Sequence, residues 1–359
     1  MAGVYLSYPF CAQKCTFCNF ASGVSSAGVR RRYERALLEE VRAQEWEWLP
    51  ETAYFGGGTP SQMPLTLLRE LMDGIPHGAL GEVTMEAAPG TITRNIAEDW
   101  AECGVNRVSL GVQSFVASEL RQTGRRHTAE VVERETAILR AAGIANINID
   151  LIAGLPGQTR ESWLQSLEWM SRLGVPHASV YLLEVDEESR LGNEILRGGT
   201  RYGAQHVPDE ELSAELYEIA VDRLARAGLR RYEISNFAQP GFESRHNLKY
   251  WQLEPYVGFG LDAHSFDGRL RWSNPDSLEA YFARGESART PANAAEERFF
   301  VGLRLARGIE PNPEEWSRFA EPIAKWTQAG YLEREGSRLR LSDRGVLLSN
   351  EIFQEFLVG

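Results

Sequence analysis

The stretch Val4-Tyr5-Leu6-Ser7-Tyr8-Pro9-Phe10-Cys11-Ala12-Gln13-Lys14-Cys15-Thr16-Phe17-Cys18 runs from a strand-like apolar segment straight into a C-x3-C-x2-C loop. Three thiols fall within eight residues, with no fourth beside them. A closed structural zinc site or an ordinary electron-transfer cluster takes four protein ligands. Three ligands point instead to a four-iron cluster, [4Fe-4S], with one iron left open; the plain alternative is a partial zinc knot or three incidental thiols. The remaining cysteine, Cys103, falls where a helix ends before Gly104 and reads as a small buried hydrophobe.

Outward from this loop, short apolar runs alternate with segments of helical period, the pattern of βα units around a parallel sheet. The strands expected are Val4–Ser7, Ala53–Phe55, Val83–Ala87, Arg107–Leu110, Asn146–Leu151 and His177–Leu182. Helices are expected near 27–48, 64–73, 93–102, 128–142 and 159–173. The fold class is therefore α/β, an incomplete TIM-like (β/α)6 barrel. Chemistry in such barrels gathers where strands end. The cysteine loop follows the first strand, Gly56-Gly57-Gly58-Thr59-Pro60 the second, Glu86 closes the third, Gln113 follows the fourth and Asp150 closes the fifth.

A helix from Pro208 to about Ala227 and a loop rich in Asn, Gly and Pro follow. Helices are expected at 293–306 and 321–329, then a hairpin of Tyr331–Arg334 and Arg338–Leu341, then a helix over Ser342–Leu357. The organisation expected is a barrel over 1–235, a connecting segment over 236–291 and a small winged-helix-like α+β domain over 292–359.

At 359 residues, 43% hydrophobic and 25% charged, the composition is that of a globular protein. It contains no apolar run near the roughly 20 residues that span a bilayer. Met1 is followed almost directly by a strand-like run rather than a signal sequence. Clustered cysteines without a disulfide framework fit a reducing, cytoplasmic compartment. The net charge of −12 argues against a broad nucleic-acid surface. Arg30-Arg31-Arg32 and Arg230-Arg231 read as solvated surface.

The cysteine spacing resembles the signature of the radical S-adenosylmethionine (SAM) superfamily, whose open iron is chelated by the amino and carboxylate groups of SAM. More of the chain is similar to the HemN/HemW family, named for oxygen-independent coproporphyrinogen oxidase and its haem-chaperone relative. The similarity runs through Tyr5–Phe20, Phe55–Ser61, Glu86–Thr91, Ser109–Phe115, Asp150–Thr159 and Phe299–Leu305. It implies that Cys11, Cys15 and Cys18 hold the cluster. It further implies that Tyr5, Gly57, Gly58, Thr59, Glu86, Gln113, Arg125 and Asp150 contact SAM, with Arg126 an alternative to Arg125, and that Phe17 shields the cluster loop. Ser7-Tyr8 departs from the His-Ile pair common before the family's Pro-Phe-Cys.

Phe20 stands where the oxidase pattern has another cysteine, and the oxidase's longer segment before the first strand is absent; both favour the chaperone branch. His246-Asn247-Leu248-Lys249-Tyr250-Trp251 matches the H-N-x-x-Y-W haem-binding motif of that branch. By resemblance His246, Tyr250 and Trp251 contact haem, the imidazole offering nitrogen to iron and the rings offering flat apolar surface. The other reading of His246 is a hydrogen-bonded structural histidine beside core aromatics. His264 is a weaker haem candidate.

The leading expectation is a chaperone that binds haem and a SAM-liganded cluster and passes haem to acceptor proteins. If those acceptors are respiratory, a transient membrane encounter follows. The alternatives are radical decarboxylation of a porphyrinogen propionate and an anaerobic haem-modifying methyltransferase. Enzyme status stays open on the sequence, because the three thiols and the SAM contacts suit all three.

Overall fold

A computed structural model describes residues 2–76, 78, 80–283 and 288–357. Six parallel strands follow the expected order: β1 Ala2–Tyr8, β2 Pro50–Gly57, β3 Glu82–Ala87, β4 Arg107–Gln113, β5 Asn146–Ala153 and β6 His177–Leu182. Between them lie α1 Ala27–Ala43, α2 Leu65–Gly74, α3 Arg94–Glu102, α4 Ala117–Gln122, α5 Ala129–Ala141 and α6 Arg160–Leu173. Then come α7 Arg190–Leu196, α8 Glu210–Arg226, β7 Arg230–Arg231, β8 Asn236–Ala238 and α9 Arg245–Trp251. β9 Tyr256–Phe259, β10 His264–Phe266, β11 Leu270–Ser273 and β12 Thr290–Pro291 complete the sheet.

The sheet order is β12-β11-β10-β9-β1-β2-β3-β4-β5-β6-β8-β7. β9 pairs parallel with β1, so the parallel arc gains a strand beyond those the alternation of segments indicated. β8 closes the other edge antiparallel to β6.

Each barrel strand alternates. Val108, Leu110 and Val112 of β4, and Ile147, Ile149 and Leu151 of β5, join the hydrophobic core under the helices. Their neighbours Arg107, Ser109, Gln113, Asn148 and Asp150 line an inner cavity. Period-two side-chain direction turns this alternation into an apolar outer face and a polar lumen.

The covering helices follow amphipathic logic. Tyr33, Leu37 and Val41, four residues apart, are the buried stripe of α1, which Ser26 caps. This helix stops at Ala43 rather than near 48. Trp46 and Trp48 instead turn edge-to-face on each other, with Trp46 against Phe259, and the next segment enters β2 through Pro50.

Residues 294–302 and 320–328 are helical and a hairpin of 332–335 and 338–341 follows. The expected closing helix is two short ones, 343–347 and 349–354, because Leu348 leaves helical geometry at φ −110°, ψ 24°. No helix among the described residues is long and apolar enough to cross a membrane.

Two features fix the ends of the barrel. At its mouth β1 and β2 run so close that a Cβ on Gly58 would lie 2.6 Å from the Pro9 carbonyl carbon and 2.8 Å from the Phe10 nitrogen. At its floor the buried Glu82 carboxylate accepts the N–H groups of Arg245 and His246 and the Ser244 hydroxyl, pinning the start of α9 across the strand beginnings.

Gly58→Ala is expected to cost about 2 kcal/mol by overpacking against backbone and to lower the iron retained after reconstitution. Gly23→Ala, in the cysteine loop itself but with open space around its Cβ, is expected to change neither. Denaturant midpoints and iron assays compare them. Glu82→Ala takes the acceptor from the buried His246 amide and the part-buried Arg245 amide and is expected to cost about 3 kcal/mol, read from urea unfolding.

Candidate functional site

β1 delivers Cys11 to the mouth as a buried thiol, with Cys15 and Cys18 half-buried behind it. The loop is tied down at several points. The Cys11 N–H donates to the Gly23 carbonyl, and the Thr16 N–H to the carbonyl of Thr123 just past α4. The Cys18 Sγ lies 3.8 Å from the Ser22 hydroxyl.

All three thiols line one cavity of about 650 Å3. Burial pushes the Cys11 thiol up; hydrogen bonds from Thr59 and Ser22 oppose this, and the proximity of Cys18 and Cys15 adds to it. Such thiols surrender their protons to a bound metal.

Among the described residues no three His, Cys, Asp or Glu side chains close around a single ion. Three thiols around one cavity, without a fourth donor, therefore suit a cubic iron–sulfur cluster better than a single zinc. The residues present fit the [4Fe-4S] group that the cysteine spacing implies.

Phe17, Gly57, Gly58, Thr59, Glu86, Gln113, Arg125 and Asp150 line the same cavity, and so does Arg126. Tyr5 is not among the lining residues; its ring lies against Gly56 and stacks on Tyr54 at 6.0 Å. The amides of the glycine run are committed within the protein. The Gly58 N–H donates to the Tyr8 carbonyl, the Thr59 N–H to the Phe10 carbonyl and the Gly57 N–H to Glu86. Gly57, at φ +106°, makes the turn that permits this.

Glu86 also accepts from the Tyr54 hydroxyl at 2.8 Å. Burial nonetheless pushes its carboxyl up to about 7. Asp150 accepts from Ser109 at 3.1 Å and Asn148 at 2.7 Å, and burial raises it too. The Arg125 guanidinium donates to the Gly111 carbonyl, while its Nε is buried without a partner. Gln113 holds φ 71°, a left-handed backbone that is rare for a residue with a side chain.

Sequence reasoning passed over Arg107, Ser109, His127, Asn148, Ser179 and Asn247, all of which line the cavity. His127 is held near 4 by burial and by the Arg125 charge, so it is neutral at physiological pH. The signal for the strand residues was present as polar–apolar alternation in Arg107-Val108-Ser109-Leu110 and Asn146-Ile147-Asn148-Ile149-Asp150.

His246 and Tyr250 lie outside this cavity, on the floor helix. The His246 imidazole is 1% exposed and bonded at both nitrogens, Nδ1 to the Thr52 hydroxyl and Nε2 to the Tyr250 hydroxyl, each at 2.8 Å. Burial, reinforced by Lys249 and Arg107, holds it near 3 and therefore neutral. The Arg304 guanidinium lies 4.4 Å above the Trp251 ring. Between His246 and Trp251, Asn247 turns toward the cavity. His264 is exposed beside Asp262.

Residues 5–170 match the Radical SAM superfamily and residues 290–348 the HemN C-terminal domain. The heme chaperone HemW of Lactococcus lactis is 34% identical, the match covering 99% of this chain and 97% of that one. HemW of Bacillus subtilis is 33% identical over 99% of both, and HemW of Escherichia coli 29% identical over 99% and 97%. The solved structure of coproporphyrinogen III oxidase, HemN, from Escherichia coli superposes with a TM-score of 0.83 over 99% of this chain and 89% of that one. At 20% identity that likeness speaks for the fold alone. Full-length similarity to HemW proteins, with both family regions in place, makes this chain a member of the HemW family within the radical SAM superfamily.

Proposed function

We propose that the protein is a cytoplasmic haem chaperone: it holds a [4Fe-4S] cluster on Cys11, Cys15 and Cys18, binds SAM in the lumen and passes haem to acceptor proteins. The observation that carries this reading is the intact three-thiol loop on a polar cavity, in a chain that aligns end to end with proteins named as heme chaperones. The bound cluster supplies an open iron for the amino and carboxylate groups of SAM and an electron for splitting its sulfonium. The protein's own part is recognition.

Glu86 accepts from the SAM ammonium, Asp150 from the ribose hydroxyls, and Arg125 presents a cation at the lumen wall. With its amides committed, the Gly57–Thr59 run contributes through carbonyls, which suit an ammonium. Phe17 covers the cluster loop, and Tyr5 acts from behind Gly56.

For haem, Phe20 and Leu182 give exposed apolar surface beside the cavity, and Phe20 replaces the oxidase branch's cysteine. Iron ligation by His246 requires its Nε2 to leave the Tyr250 hydroxyl. The floor helix therefore has to loosen before His246, Tyr250 and Trp251 contact haem. Residues 292–359 bear ion pairs such as Arg318 with Glu296 and Lys325 with Glu355 rather than a basic stripe. That surface suits an acceptor protein better than nucleic acid.

SAM affinity is expected to depend on pH through Glu86. Its folded pKa lies above the ordinary value, so at pH 6 it is mostly protonated and a poor acceptor, and it ionises as pH rises through about 7. Affinity is expected to rise several-fold from pH 6 to 7.5, and Glu86→Gln should flatten the profile in equilibrium titrations.

Anaerobic optical titration of the cluster-reconstituted protein with haem tests the chaperone reading. Stoichiometric binding without coproporphyrinogen conversion is expected; robust conversion, or no haem binding, sinks the reading. Tyr250→Phe, which frees Nε2 while keeping the ring, is expected to preserve or tighten haem binding, whereas His246→Ala is expected to abolish it. If neither variant alters binding, His246 is a structural histidine.

A further inference from the structure

Arg107 opens β4, at the floor end of the lumen, and is 1% exposed. Its side chain lines the cavity from the end opposite the cysteine loop. Among the described residues no carboxylate lies within ion-pairing distance of it, in contrast to Lys249, which pairs with Glu51 and Glu254. Glu86 and Asp150 feel its charge only at longer range.

The strand register sets Thr84 of β3 and Asn146 of β5 on either side of Arg107. In that single row the Arg107 Nε, the Thr84 Oγ1 and the Asn146 Oδ1 are all buried without a hydrogen-bond partner. Water satisfies a hydroxyl or an amide, but it leaves a desolvated guanidinium without a counter-charge. An arginine kept there against that cost is a receptor for an anion.

A guanidinium presents a planar fork that matches a carboxylate or a phosphate. Glu86 and Asp150, further along the lumen, repel a dianion more strongly than a monoanion. The monoanionic, planar carboxylate is the better fit.

We propose that Arg107 anchors a carboxylate at the floor of the lumen, in a subsite separate from the cysteine loop. Haem brings that group through a propionate, since the carboxylate of SAM is taken by the open iron at the cysteine loop. The haem source rests on the chaperone reading above; the subsite does not.

The test uses the full-length, cluster-reconstituted protein and its Arg107→Met and Arg107→Gln variants. Sodium propionate, compared with chloride at equal ionic strength, is expected to raise the thermal midpoint of the wild type and of neither variant. Haem is expected to bind the wild type at least about tenfold more tightly than haem dimethyl ester, with the preference lost in both variants. A comparable loss of SAM affinity in the variants instead shows that Arg107 serves the SAM site and overturns a separate subsite.

Without ligand, the variants are expected to be no less stable than the wild type, since each removes an unpaired buried charge. If they fail to fold, the wild-type comparisons of propionate with chloride and of haem with its ester still decide. No propionate effect, no preference for the acid and unchanged SAM affinity overturn the subsite. Arg107-dependent propionate binding with no haem binding keeps the subsite and removes the chaperone reading.

Discussion

The polar inner face of the parallel sheet is the constraint on which everything else rests. A barrel lumen packed with hydrocarbon is stable by itself. This one is walled by Glu86, Ser109, Asn148, Asp150 and Ser179, whose polar groups need partners. Part of that need is met internally. The Asn148 amide nitrogen lies within hydrogen-bond distance of Ser109, Asp150 and Ser179, and the Asn148 side-chain oxygen is hydrogen-bonded to His177, so one side chain links strands β4, β5 and β6. Burial still holds Glu86 and Asp150 above their ordinary pKa values, because the charge of Arg107 reaches them only at longer range. A lumen that holds carboxylates and guanidinium groups apart from one another suits a polar ligand carrying both charges.

The mouth meets a different demand, rigidity. Glycines at 56, 57 and 58 let β2 approach the chain that enters the cysteine loop, and the Gly58 and Thr59 amides hold that chain by backbone bonds. The three thiols are thus carried by a segment held by backbone bonds and close packing. The glycines serve the loop through proximity, and the ligand through whatever carbonyls remain.

Much of this was legible in the sequence, for physical reasons. Strand cores such as Val83–Ala87 and Asn146–Leu151 carried both β propensity and burial, and the cysteine spacing carried its chemistry in local form. β9 was not legible, because four residues inside a Gly- and Pro-rich region have no period of their own and become a strand only by pairing with β1. The floor network was also hidden. Glu82 to His246, and Thr52 to His246, are contacts between residues more than 160 apart, which no spacing rule reaches. Arg107 was visible as a charge inside an apolar alternation, but its lack of a partner is a property of the whole lumen.

The two ends of the barrel are mechanically joined. Glu82 begins β3 and holds α9; Glu86, four residues on, sits in the lumen beside the mouth glycines. His246 stacks near Tyr54 at 5.1 Å between ring centroids, and Tyr54 donates to Glu86. A displacement of α9 that freed His246 would therefore withdraw a packing surface from Tyr54 and alter the hydrogen bond that helps keep Glu86 ionised. Through that chain a change at the floor reaches Glu86, the group proposed to meet the SAM ammonium. Thermodynamic linkage then requires the converse: whatever a ligand in the lumen does to the Tyr54–Glu86 pair is felt as a change in the ease with which the floor helix opens.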